Sequence, residues 1–82
     1  MVGDYDRAST LLNDALLIFR DFEMNWQIGR TLFEKGKLEK SQERMEGAED
    51  YFKQAMEAFE MVGGRPSYGL AKDALDALQE SN

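Results

Sequence analysis

The sequence predicts an all-α chain of about four helices, stacked as antiparallel helix-turn-helix hairpins. No run alternates with the two-residue period of a half-buried strand. Apolar residues recur instead at three- and four-residue spacing along wide arcs, and breakers are sparse: one proline and seven glycines in 82 residues.

The first helix is expected over residues 4–21, with Asp4 and Asp6 near its positive N-terminal end. Around Ala8 its wheel puts Leu12, Ala15, Phe19 and Phe22 at the centre of an apolar face, with Tyr5, Leu11, Leu16 and Ile18 on the flanks. Only Leu17 points outward. A second helix is placed at 24–40, followed by a polar bend around "SQERM". The third, 45–62, sets Phe52, Ala55, Phe59 and Val62 within roughly 40° of Ala48. Tyr51, Ala58, Met45 and Met56 widen that arc to roughly 160°, opposite Glu49, Asp50, Lys53, Glu57 and Glu60, which is more than one neighbour can cover. "GGRPSYG" (63–69) is expected to end it, because glycine suits a left-handed cap and Pro66 cannot continue a helix. A short last helix at 69–79 carries the stripe Leu70 or Ala71, Ala74, Leu75 and Leu78.

Composition bounds the function. Apolar residues at 43% and charged residues at 32% are an ordinary globular balance, and the length suits a single domain over 1–82. With no cysteine and no histidine, disulfides, imidazole or thiolate metal ligands and the commonest nucleophile and base chemistry are excluded. Asp73 with Asp76, and Glu46 with Glu49 and Asp50, have helical spacing but no catalytic companion, so they read as solvated surface. "GGRPSYG" lacks the lysine and hydroxyl residue of a phosphate loop, and "DYDRAS" lacks the glycine and distal glutamate of a calcium loop. No enzyme activity, cofactor or metal is expected. The net charge of −6 repels nucleic acid, and the longest apolar run, "ALLIF", is too short for a membrane span or signal peptide, so a cytoplasmic setting is expected.

Shifted by forty residues, the chain aligns on itself: Ala8 with Ala48, Ala15 with Ala55, Phe19 with Phe59, Gly29 with Gly69 and Leu38 with Leu78, while Leu12 meets Phe52. Two similar helices in an unrelated bundle would give part of this match. "GDYDRA" (3–8) resembles the turn into the second helix of a tetratricopeptide repeat. Ala48, Phe52 and Ala55, and again Ala8, Leu12 and Ala15, resemble that family's small, large, small pattern, with Gly36 where its first helix carries glycine. The spacing is similar to the family's longer-helix variants, and the chain would begin mid-repeat. Leu32, Lys35 and Glu39 depart from the pattern, standing where tryptophan, leucine and an aromatic are usual. Inside a helix Gly36 costs about 1 kcal/mol unless close packing requires it, and contact with Ala48 or Ala55 would supply that need.

The resemblance implies a short α-solenoid acting as a protein-interaction module, whose first helices line a groove for a partner protein or peptide. That surface would carry Arg30, Phe33, Lys37 and Lys40, a basic stripe with an aromatic inside it, suited to an acidic segment. Residues 30–53 hold six basic and six acidic residues, whereas the flanks each carry −3. The plainer reading of the stripe is a solvated face with local pairs, Arg30 with Glu34 and Lys35 with Glu39. The residues that serve a chaperone-tail clamp in other family members are replaced by Glu34, Leu70 and Ala74. Trp26 reads as a plug at the end of the core; Met45, Met56 and Met61 could form an adaptable surface, yet Met45 and Met56 lie within the apolar arc and read first as core filling. Because the first helix lacks its hairpin partner, the face around Tyr5, Leu12 and Phe19 is expected to support self-association, or the chain to belong to a longer array. The alternative function is therefore structural: a homodimerising or array-capping module without a peptide ligand.

Overall fold

The computed structural model describes residues 2–80, with side chains from Asp4 onward. It contains four helices, α1 (Val2–Asp21), α2 (Asn25–Ser41), α3 (Met45–Met61) and α4 (Arg65–Glu80). Each packs on its sequence neighbours, α2 on α3 most extensively and α1 on α2 least. The three-residue connections force antiparallel neighbours, and the helices lie side by side in a slab of 32 × 29 × 16 Å.

The connections share one geometry. Glu23, Glu43 and Gly63, at twenty-residue intervals, have φ of 52°, 61° and 66°. In the first turn the Glu23 N–H donates to the Arg20 carbonyl at 3.1 Å and the Met24 N–H to the Phe19 carbonyl at 2.9 Å, the two bonds of a Schellman cap. The second turn repeats them from Glu43 to Lys40 and Arg44 to Glu39, and the third from Gly63 to Glu60 and Gly64 to Phe59. The residue after each left-handed position immediately caps the next helix, since the Met24, Arg44 and Gly64 carbonyls accept from Ile28, Ala48 and Tyr68. Where the motif favours an apolar contact across the turn, Glu39 and Arg44 form an ion pair at 3.7 Å.

Two boundaries differ from the sequence expectation. Residues 65–69 belong to α4: Pro66 sits in its first turn, where the missing N–H has no intrahelical partner to lose. Gly63 alone provides the stop. At the other end, "GDYDRA" is helical from Val2 instead of forming a turn, with Asp4 in the first turn of α1. The end of α1 and the start of α2, Asp21 and Asn25, recur forty residues later as the end of α3 and the start of α4, Met61 and Arg65.

Gly36 is needed by a ring and not by the alanines expected from the sequence. A Cβ on Gly36 would lie 2.5 Å from Phe52 Cε1, and one on Gly29 would lie 2.7 Å from Phe59 Cε1. The glycines are seven residues apart on α2 and the rings seven apart on α3, so two turns of antiparallel helix seat ring on backbone twice. Phe52 and Phe59 are 1% and 3% exposed. Ala48 and Ala55 are also buried; Ala55 joins Leu16, Leu32, Phe59 and Ala71 in one cluster, Ala48 joins Phe52, Leu75 and Leu78 in the other. In α4 the buried member of the ambiguous pair is Ala71, and Leu70 is exposed.

Buried polar groups in α2 have partners. The Thr31 hydroxyl donates to the Gln27 carbonyl at 2.8 Å. The Lys35 ammonium donates to Asn13 Oδ1 on α1 and lies 4.6 Å from the Tyr51 ring centroid on α3. Lys35 thus ties three helices together from the position where the family resemblance leads one to expect leucine.

Candidate interaction surface

Between α2 and α4 runs a cleft with a cavity of about 330 Å³, lined by Trp26, Arg30, Phe33 and Glu34 from α2, Phe59 from α3, and Ser67 and Leu70 from α4. Its walls arise from helical spacing. Positions 26, 30, 33, 37 and 40 recur at four and three residues and form one stripe on α2, on a different side of the helix from the buried Thr31 and Lys35. Phe33 is half-buried at the base of the stripe, its ring centroid 5.5 Å from that of Phe52. Leu70 faces it from α4, 62% exposed.

The four residues of the expected basic stripe fare differently. Arg30 is exposed, its guanidinium 5.6 Å from the Trp26 ring centroid, and both side chains line the cleft. Phe33 lines it as well. Lys37 pairs with Glu34 at 2.9 Å and lies 5.2 Å from the Phe33 ring. It lines a separate cavity of about 410 Å³ between α1 and α2, with Ala8, Leu11, Leu12, Glu34, Leu38 and Ser41. Lys40 is exposed one turn further along. The local pairs expected from sequence do not form: Glu34 takes Lys37 instead of Arg30, Glu39 faces Arg44, and Lys35 is directed to Asn13. Lys35 points inward because its position faces α1 and α3, which sequence spacing alone did not reveal.

Trp26 departs from the position its sequence context predicts. It is 42% exposed and forms a wall of the cleft instead of plugging the core end. The signal was present, because Trp26 lies four residues before Arg30 and extends the stripe by one turn. Of the methionines, Met45 and Met56 pack against the core, whereas Met61 is exposed.

The cleft combines an aromatic and aliphatic hollow with Arg30 and Glu34 on one wall and uncharged Ser67 and Leu70 on the other. With Glu34 and Lys37 neutralising each other, Arg30 and Lys40 are the charges of the stripe that remain for an approaching group. A larger hollow of about 640 Å³ at the α3–α4 turn is lined by Glu60, Gly63, Gly64 and Arg65 with Phe59 and Tyr68. Volume alone would favour it, but two of its lining residues are glycines and its charges, Glu60 and Arg65, are of opposite sign, so it offers no net charge to an acidic segment. Among the described residues no group of three acidic, histidine or cysteine side chains could hold a metal ion, and no helix is long and apolar enough to cross a membrane.

The expected self-association residues Tyr5, Leu12 and Phe19 are half-buried in α1. The more exposed apolar side chains of that helix are Leu11, Leu17 and Ile18, with Phe22 just beyond its end. Comparison of the chain with family models, with curated proteins and with solved structures finds no match.

Proposed function

We propose that this chain is a non-catalytic protein-interaction module of the tetratricopeptide-repeat kind, holding an extended partner segment in the α2–α4 cleft. The observation that carries this reading is the cleft itself: Trp26, Phe33 and Leu70 leave apolar surface open between two helices, beside Arg30. Such a site selects a segment with one apolar side chain for the hollow and a carboxylate for Arg30, with a second carboxylate within reach of Lys40. Partly exposed aromatic and arginine side chains are the types that dominate binding energy at interfaces. A cytoplasmic setting accords with this reading.

Trp26 is the single tryptophan and stands in the cleft, so its emission reports occupancy directly. Titration with peptides of the pattern acidic–apolar–acidic is expected to shift or quench that emission with saturation. Arg30→Glu with Lys40→Glu is expected to abolish the response. Unchanged emission for all such peptides, or unchanged affinity after charge reversal, would reject the acidic groove.

A further inference from the structure

Four positions of α1 have counterparts forty residues later in α3: Ala8, Leu12, Ala15 and Phe19 correspond to Ala48, Phe52, Ala55 and Phe59. In α3 all four are at most 3% exposed, because α2 and α4 cover them from two sides. In α1 all four are only half-buried, and the cavity beside Ala8, Leu11 and Leu12 lies open. The chain therefore leaves one copy of its most deeply buried helix face without one of the two helices that cover the other copy.

We propose that this face is covered by α1 of a second copy, packed antiparallel about a twofold axis, with Leu12 on the second copy's Ala15 and Phe19 on its Ala8. The covered interface supplies the template. Gly36 seats Phe52 and Gly29 seats Phe59, so paired residue numbers keep the constant sum of 88 that marks antiparallel helices in register. In α1 the small residues, Ala8 and Ala15, and the large ones, Leu12 and Phe19, share a single face and are each seven apart. Pairing α1 with itself at a constant sum of 27 seats each large residue on a small one, and the twofold axis doubles the two contacts to four. Among the exposed charges alongside, Arg7, Asp14 and Asp21 form one row: an antiparallel mate brings Arg7 to the second copy's Asp21 twice and sets Asp14 beside its own counterpart once at the axis, whereas a parallel mate opposes like charges at all three positions.

The assembly stops at two. Head-to-tail growth would press the outer face of α4 against α1, and the α4 counterparts of Gly29, Leu32, Phe33 and Gly36 are Gly69, Lys72, Asp73 and Asp76. Three charges would be stripped of water against apolar side chains without partners, so that contact is disfavoured. A helix of 20 residues offers a face about 30 Å long and roughly 10 Å wide, small against standard interfaces, so the dimer is weak, with a dissociation constant of roughly 10 µM or above.

Sedimentation equilibrium over micromolar to millimolar chain concentration tests this directly. A monomer–dimer equilibrium is expected, weakened about tenfold or more by Leu11→Glu with Ile18→Glu, two exposed positions at the rim that leave the fold intact by circular dichroism, and unchanged by Leu17→Glu. The chain has no cysteine, so register is read by oxidising a mixture of Leu12→Cys and Ala15→Cys chains, which should cross-link to each other faster than Leu17→Cys chains do among themselves. A monomer at every concentration overturns the proposal. So does association that survives Leu11→Glu with Ile18→Glu, growth beyond two chains, or equal cross-linking at Leu17.

Discussion

Gly36→Ala and Gly69→Ala make the same chemical change inside two helices and should move stability in opposite directions. In each, replacing glycine favours the helix by about 1 kcal/mol. At Gly69 no atom lies within 4 Å of the new methyl, so the full gain is realised. At Gly36 the methyl would lie 2.5 Å and 2.6 Å from Phe52 Cε1 and Cδ1. That ring cannot swing aside, being 1% exposed and packed among Phe33, Ala48, Leu75 and Leu78. Relief requires α2 and α3 to separate, and overpacking of this sort costs about 1–3 kcal/mol, with so short a contact at the upper end. The net loss for Gly36→Ala is then about 1–2 kcal/mol. At about 4–8 °C per kcal/mol for a domain of this size, thermal unfolding followed by circular dichroism should place Gly69→Ala about 4–8 °C above the parent and Gly36→Ala about 5–15 °C below it. Shifts of the same sign would refute the nested ring-on-glycine geometry.

Other outcomes follow from the turns and from α1. Glu43→Gly should stabilise the chain by about 0.5–1 kcal/mol, because a side chain at φ 61° is strained, and Gly63→Ala should destabilise it by about 1 kcal/mol for the converse reason; urea unfolding midpoints check both. Amide exchange should be fastest among the helices in α1, whose one deeply buried side chain among the described residues is Leu16. Lys35→Ala should accelerate exchange in α1 more than in α4, since the ammonium that binds Asn13 is then gone. Lys35→Met should stay within about 1 kcal/mol of the parent, because the stem volume is kept and exposed Asn13 is rehydrated.

The arcs of apolar residues were enough to place four helices, because a 160° face repeated in α1 and α3 admits few other arrangements. What periodicity could not reveal is which partner a small residue serves: Gly36 was expected to meet alanines, yet the antiparallel register sets it against the Phe52 ring. Pro66 was read as a breaker because its place within the first turn depends on where the cap at Gly63 falls. Glu23 and Glu43 carried no sign of their left-handed backbone, since glutamate is not selected for it; turn geometry imposed by helix packing overrides local preference there. For the cleft, Arg30 and Phe33 were legible as a stripe on one helix. Leu70 and Ser67 were not, because they belong to α4 and only the tertiary packing brings them opposite Trp26.

The α-protons of the two helix-interior glycines test the nested hairpin most directly. Proton NMR of the parent chain should show Gly36 Hα with nuclear Overhauser contacts to the Phe52 ring, Gly29 Hα with contacts to the Phe59 ring, and both resonances displaced by the neighbouring ring currents. Random-coil positions for these protons, without contacts to either ring, would contradict the packing on which the cleft and the α1 face both depend.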